Sequence, residues 1–204
     1  MEYVTLSKEA SVSFFEKKSE FIGHACPVKT EEEAMAFINK IRKKYGDATH
    51  NCYAYMLANG SARYSDDGEP QGTAGVPILS VIQKGGFTDA VIVVTRYFGG
   101  ILLGAGGLVR AYSASARDAV AAARIVTYDY VTEFSVTCSY SDYQKLLPII
   151  SQCSVTEDGS DFTDTVTLRL AAKEKNYSDF VAKIAEIGAG RIAVKELGSR
   201  FRDL

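Results

Sequence analysis

Two arginines and a dense set of glycines between Tyr64 and Tyr112 form the part of this chain best suited to chemistry. Arg96 closes an apolar run, and Arg110 follows Gly99, Gly100, Gly104, Gly106 and Gly107. Glycine lets backbone N–H groups approach a ligand closely, and arginine carries a permanent charge on a rigid fork of donors. A strand that passes through glycines into a helix adds the positive end of a helix dipole. The pattern predicts an anion-binding surface, with phosphate on nucleic acid or nucleotide as the ligand. His50, Tyr97 and Phe98 are expected to flank it and to stack on a base. The spacing is not a Walker A loop, because no Lys-Ser/Thr pair follows the glycines. Nor does it fit a dinucleotide loop, which needs an acidic residue about twenty positions on. A second reading stays open: the glycines serve close packing, and the arginines pair with Asp66, Asp67 or Glu69.

Those three acids, with His50, also allow a hydrolase reading in which oxygens crowded on a turn hold a divalent metal. Ser65-Asp66-Asp67-Gly68 is equally a turn sequence, whose aspartates bond nearby backbone amides. No HExxH or nucleophile-elbow motif accompanies them, so no catalytic residue, metal ligand or cofactor is assigned. Cys26, Cys52, Cys138 and Cys153 are widely spaced and read as buried reduced thiols.

The elements that must position these residues follow from the surrounding sequence. The chain has 204 residues, 47% hydrophobic and 24% charged, with a net charge of −2. That balance argues against a protein that coats nucleic acid non-specifically. Residues 1–127 carry 14 basic and 13 acidic residues and the remainder 9 and 12, so a basic site belongs to the first part. The N-terminus lacks a signal-peptide pattern and no apolar run is long enough to span a bilayer, which points to a cytoplasmic protein.

Strands are predicted over 12–15, 21–28, 51–58 and 90–97, the last covered on both faces because it is almost continuously apolar. Thr30 with Glu33 forms a capping box for a helix that Gly46 stops. Asn59-Gly60 marks a hairpin, a helix is expected to start near Ala74 or Gly75, and an alanine-rich helix over 108–123 follows a loop over 99–107. From about Val126 the order is strand (131–140), helix (142–150), strand (154–157), strand (163–171), helix (177–187), strand (191–201). Asp142 and Asn176 or Ser178 are the expected caps, and Asp158-Gly159 the turn between the inner strands. This βαββαβ order is the ferredoxin-like split motif. The fold class is α+β, with domains at 1–127 and 128–204.

Six blocks in order resemble the IMPACT family, also called YigZ-like. They are Lys18-Ser19-Glu20-Phe21-Ile22, Asp47-Ala48-Thr49-His50-Asn51-Cys52, Ser65-Asp66-Asp67-Gly68-Glu69-Pro70, Gly72-Thr73-Ala74-Gly75, Val94-Thr95-Arg96-Tyr97-Phe98-Gly99-Gly100 and the run Leu103 to Tyr112. Leu102 departs from the pattern, since relatives often carry lysine there. The resemblance implies an N-terminal α/β domain of the two-layer type found in a small-ribosomal-subunit protein and in elongation factor G. It also implies a ferredoxin-like C-terminal domain similar to those of elongation factor G. In eukaryotic members, regulation of translation under starvation depends on an additional N-terminal domain, and the resemblance, which is to the bacterial two-domain form, implies no such domain here. The expected function is a non-enzymatic RNA- or ribosome-binding protein that modulates translation. The alternatives are a metal-dependent hydrolase of a phosphorylated metabolite or nucleotide, and a module that grips a protein partner.

Overall fold

A computed structural model describes residues 2–188 and 190–202. It divides into two compact units, Val4–Thr127 and Met1–Tyr3 with Tyr128–Leu204. The fold is α+β, with two five-stranded sheets and five helices among the described residues.

In the first unit, β2 (Ala10–Glu16), β3 (Ser19–Pro27), β4 (His50–Met56), β5 (Ala62–Ser65) and β6 (Ala90–Tyr97) form a sheet in the order β2-β3-β6-β4-β5. Every neighbour in it is antiparallel. Central β6 alternates two apolar sets. Ala90, Ile92 and Val94 pack with α2 (Gly75–Gly85) and α3 (Gly104–Ala123), while Val91 and Val93 pack with α1 (Glu31–Lys44). Helices on both faces therefore bury the strand, and α1 adds a layer to the expected two. Asn59-Gly60 makes the predicted hairpin, in which the Leu57 N–H donates to the Ser61 carbonyl at 2.8 Å. Thr30 caps α1 by accepting from the Glu33 N–H at 3.2 Å.

The second sheet contains β7 (Ile125–Cys138), β8 (Thr156–Phe162), β9 (Val166–Lys173) and β10 (Ala193–Arg202) in the ferredoxin-like order β10-β7-β9-β8, with α4 (Tyr140–Gln152) and α5 (Glu174–Gly188). Phe134, Val136, Leu168 and Leu170 form its core with Leu146, Phe180 and Ile184 of the helices. β1 (Glu2–Leu6), which was not expected, pairs with β7.

Three local expectations are corrected here. Asp158-Gly159 lies inside β8, where a bulge between Glu157 and Gly159 absorbs the irregularity and Arg202 grips the Asp158 carboxylate at 2.6 and 2.8 Å. The turn falls at Thr163, whose N–H donates to the Thr165 carbonyl. Ser139 rather than Asp142 caps α4, accepting from the Asp142 N–H at 3.2 Å. Asn176 and Ser178 lie within α5, where the Ser178 hydroxyl donates to the Glu174 carbonyl.

On the α1 side of the first sheet, His24 is buried in a chain of polar groups. Thr95 Oγ1 donates to Asn51 Oδ1 at 2.7 Å, which leaves the same oxygen to accept from His24 Nε2 at 3.3 Å. Ser11 Oγ lies 2.8 Å from His24 Nδ1 and so donates to it. Burial lowers the His24 pKa to about 4. The unfolded imidazole titrates near 6.5, so between these values the unfolded chain binds the extra proton. This contribution is fully present above pH 6.5 and is lost as the pH falls toward 4, to a total of about 3 kcal/mol. Urea denaturation of wild type and His24→Gln between pH 7 and 4.5 checks this; the variant is expected to show the flatter dependence.

Candidate functional site

The acidic turn is built first. Asp66 Oδ1 accepts from the N–H groups of Ala74 (3.0 Å) and Gly75 (2.8 Å), and Oδ2 accepts from Gly72 (2.8 Å). The carboxylate thus caps α2, whose own N-cap residue, Ala74, has no side chain able to do so. Asp67 Oδ2 accepts from the Asn51 N–H at 2.7 Å, and Oδ1 pairs with Arg42 at 2.8 Å. A Cβ on Gly75 would stand 2.9 Å from the Ser65 backbone, so glycine is needed where the turn meets the helix.

This turn delivers Glu69 to the sheet. Strand register aligns Phe21 of β3, Arg96 of β6 and His50 of β4 in one row. Glu69 Oε1 sits over that row, 2.6 Å from Arg96 Nη1, and both side chains are buried. Tyr112 of α3 donates its hydroxyl to the same oxygen at 2.7 Å. Arg96 Nη2 reaches Ser19 Oγ at 3.4 Å, and the guanidinium lies between the rings of Phe21 (5.4 Å) and Phe98 (5.5 Å). Its Nε has no hydrogen-bond partner among the described residues. His50 Nδ1 lies 2.7 Å from the Asp67 carbonyl, which can only accept, so the proton is on Nδ1. The other ring nitrogen faces Glu69 at 3.9 Å.

A cavity of about 420 Å³ opens above this row, lined by His50, Glu69, Arg96, Phe98, Leu103 and Gly104 among others. The two arginines do not converge there. Arg96 is neutralised by Glu69, as in the second reading of the sequence, while Arg110 lines a separate hollow of about 240 Å³ with Glu16 and Lys17. The reason is that α3 begins at Gly104 rather than Leu108, which leaves Arg110 nearly two turns from its start. Gly104, Gly106 and Gly107 accordingly belong to the helix, not to a loop. Tyr97 projects to the opposite face of the sheet, where its hydroxyl donates to Asp47 at 2.8 Å and its pKa is raised to about 12 by that bond. Gly99 serves packing, since a Cβ there would meet the Lys18 backbone at 2.0 Å. Gly100 and Gly104 have φ of +83° and +70°, a region that favours glycine.

Phe98 stays at the mouth of the cavity, half exposed, and Leu102 is 82% exposed. Ser19 and Tyr112, which complete the buried network, were not expected, and neither was the exposed pair Lys17 and Lys18. Lys18, Ser19 and Tyr112 fall within the blocks that resemble the family, but nothing local to them signals a site role. Asp66, Asp67 and Glu69 are each held by separate bonds. Among the described residues no group of three or more His, Cys, Asp or Glu side chains is placed to hold a metal ion. The four cysteines carry free thiols, with Cys26 half-buried and the others buried.

With the geometry in place, the comparisons with known proteins converge. The Impact N-terminal domain matches residues 17–120, and a domain of unknown function, DUF1949, matches residues 136–191. The IMPACT family member YvyE of Bacillus subtilis is 35% identical over 196 residues, covering 95% of this chain and 90% of that protein. YigZ of Escherichia coli is 34% identical over 180 residues, covering 86% and 88%. A crystal structure described as that of a hypothetical protein aligns with a TM-score of 0.61 at 31% identity, covering 97% of this chain and 98% of the other. This chain belongs to the IMPACT family.

Glu69→Ala is expected to lower the unfolding free energy by about 3–5 kcal/mol, because it strands a buried guanidinium. Urea titration checks this. Replacing both partners, as in Glu69→Gln with Arg96→Met, is expected to recover part of the loss.

Proposed function

We propose that this protein binds RNA, free or on the ribosome, and modulates translation in the cytoplasm without catalysing a reaction. The observation that carries the reading is the start of α3. It has no side-chain cap, and its first residues, Gly104 and Ala105, line the same cavity as the half-exposed ring of Phe98. Uncapped helix amides receive a phosphate, and an exposed ring receives a base. Free positive charge comes from Lys17, Lys18 and Arg110, all exposed and without an ion pair among the described residues. Arg96 takes an architectural part, holding the loop that carries Phe98. A net charge of −2 fits a confined contact rather than extensive coating.

The translation setting rests on the family resemblance. A metal-dependent hydrolase is the weaker reading, since Asp66, Asp67 and Glu69 would first have to leave the bonds that build the turn.

Fluorescence anisotropy with a single-stranded RNA of about 12 nucleotides tests the site. Phe98→Ala is expected to weaken binding about tenfold, the scale of one lost stacking contact. Changing Lys17, Lys18 and Arg110 to alanine is expected to flatten the salt dependence by about 0.7 per lost phosphate contact. Unchanged affinity and an unchanged salt slope in both variants would overturn the assignment. Arg96→Ala is unsuitable as a probe, because it leaves Glu69 buried without its partner.

A further inference from the structure

A second cavity in the same unit shares no lining residue with the one above. It lies between α2 and α3 and measures about 440 Å³, within the range of small-molecule sites. Pro77, Val81 and Phe87 form one side, and Val120 and Ile125 the other. Phe87 is fully buried, while Ile125 is 46% exposed, so the groove runs from a packed floor to an open apolar edge. The floor depends on Gly85, where a Cβ would stand 2.5 Å from the Phe87 ring.

Two cations border this apolar surface. Lys84 and Arg117 both line the cavity, are exposed, and have no ion pair among the described residues. Lys84 lies in the last turn of α2, where it also offsets the helix dipole. Arg117 lies well inside α3, so no helix terminus accounts for it. The hydroxyls of Ser80 and Ser113, which also line the groove, have no hydrogen-bond partner among the described residues. Apolar walls bordered by two exposed cations without ion-pair partners match one ligand chemistry, an aliphatic tail ending in an acidic head.

We propose that the α2–α3 groove binds a small anionic amphiphile of the medium-chain carboxylate type. The tail lies over Val81, Phe87 and Val120, and the carboxylate meets Lys84 and Arg117. This site is independent of the RNA reading, since it uses none of the same residues.

The test is an NMR titration of the isotope-labelled full chain with decanoate. Saturable shifts at Val81, Phe87 and Val120 are expected below about 1 mM. Lys84→Ala with Arg117→Ala is expected to weaken binding at least about tenfold. Ala121→Trp, at an exposed lining position, is expected to do the same by filling the groove while keeping both charges. Decanol is expected to bind more weakly than decanoate. No saturable shifts in wild type, or equal decanoate affinity in the charge variant, would overturn the proposal.

Discussion

The ion pair between Arg96 and Glu69 is the contact on which the rest of the first unit's surface depends. It joins the end of the central strand to the acidic turn, and Tyr112 ties the same carboxylate to α3. A guanidinium is tolerated in this position because Glu69 neutralises it and two rings cover its faces. One of those rings is Phe98, so the residue that opens to solvent is anchored by a charge that does not. The architecture separates a buried polar network that sets position from an exposed rim that is free to bind.

The acidic turn follows the same logic. An Asp-Asp-Gly-Glu run looks like a place to put a metal, but each carboxylate has a different structural task. Asp66 gathers three amides, Asp67 ties the turn to β4 and α1, and Glu69 meets Arg96. Charge-assisted bonds to backbone amides are among the stronger contacts a loop can make, and here they replace the side-chain cap that Ala74 cannot provide.

Much of the fold was legible because local rules and packing agree. The capping box of α1, the Asn59-Gly60 hairpin and the apolar run of β6 each identified its element. The ferredoxin-like order of the second unit also followed from alternation and spacing. What escaped depends on partners distant in sequence. Nothing local distinguishes Glu69 from Asp66 or Asp67 as the partner of Arg96, since strand register and the turn decide it. Glycines at 104, 106 and 107 read as loop because their helix propensity is poor, yet they begin α3. Likewise, Asp158-Gly159 has turn composition, but Arg202 and a bulge hold it within a strand.

The separation of scaffold from rim is tested most directly by mapping amide NMR shifts during titration with short single-stranded RNA. Shifts at Phe98 and at Gly104 to Gly107 are expected, with the Asp66-bound amides of Gly72, Ala74 and Gly75 unmoved. Shifts confined to the second unit, or none at all, would contradict the account.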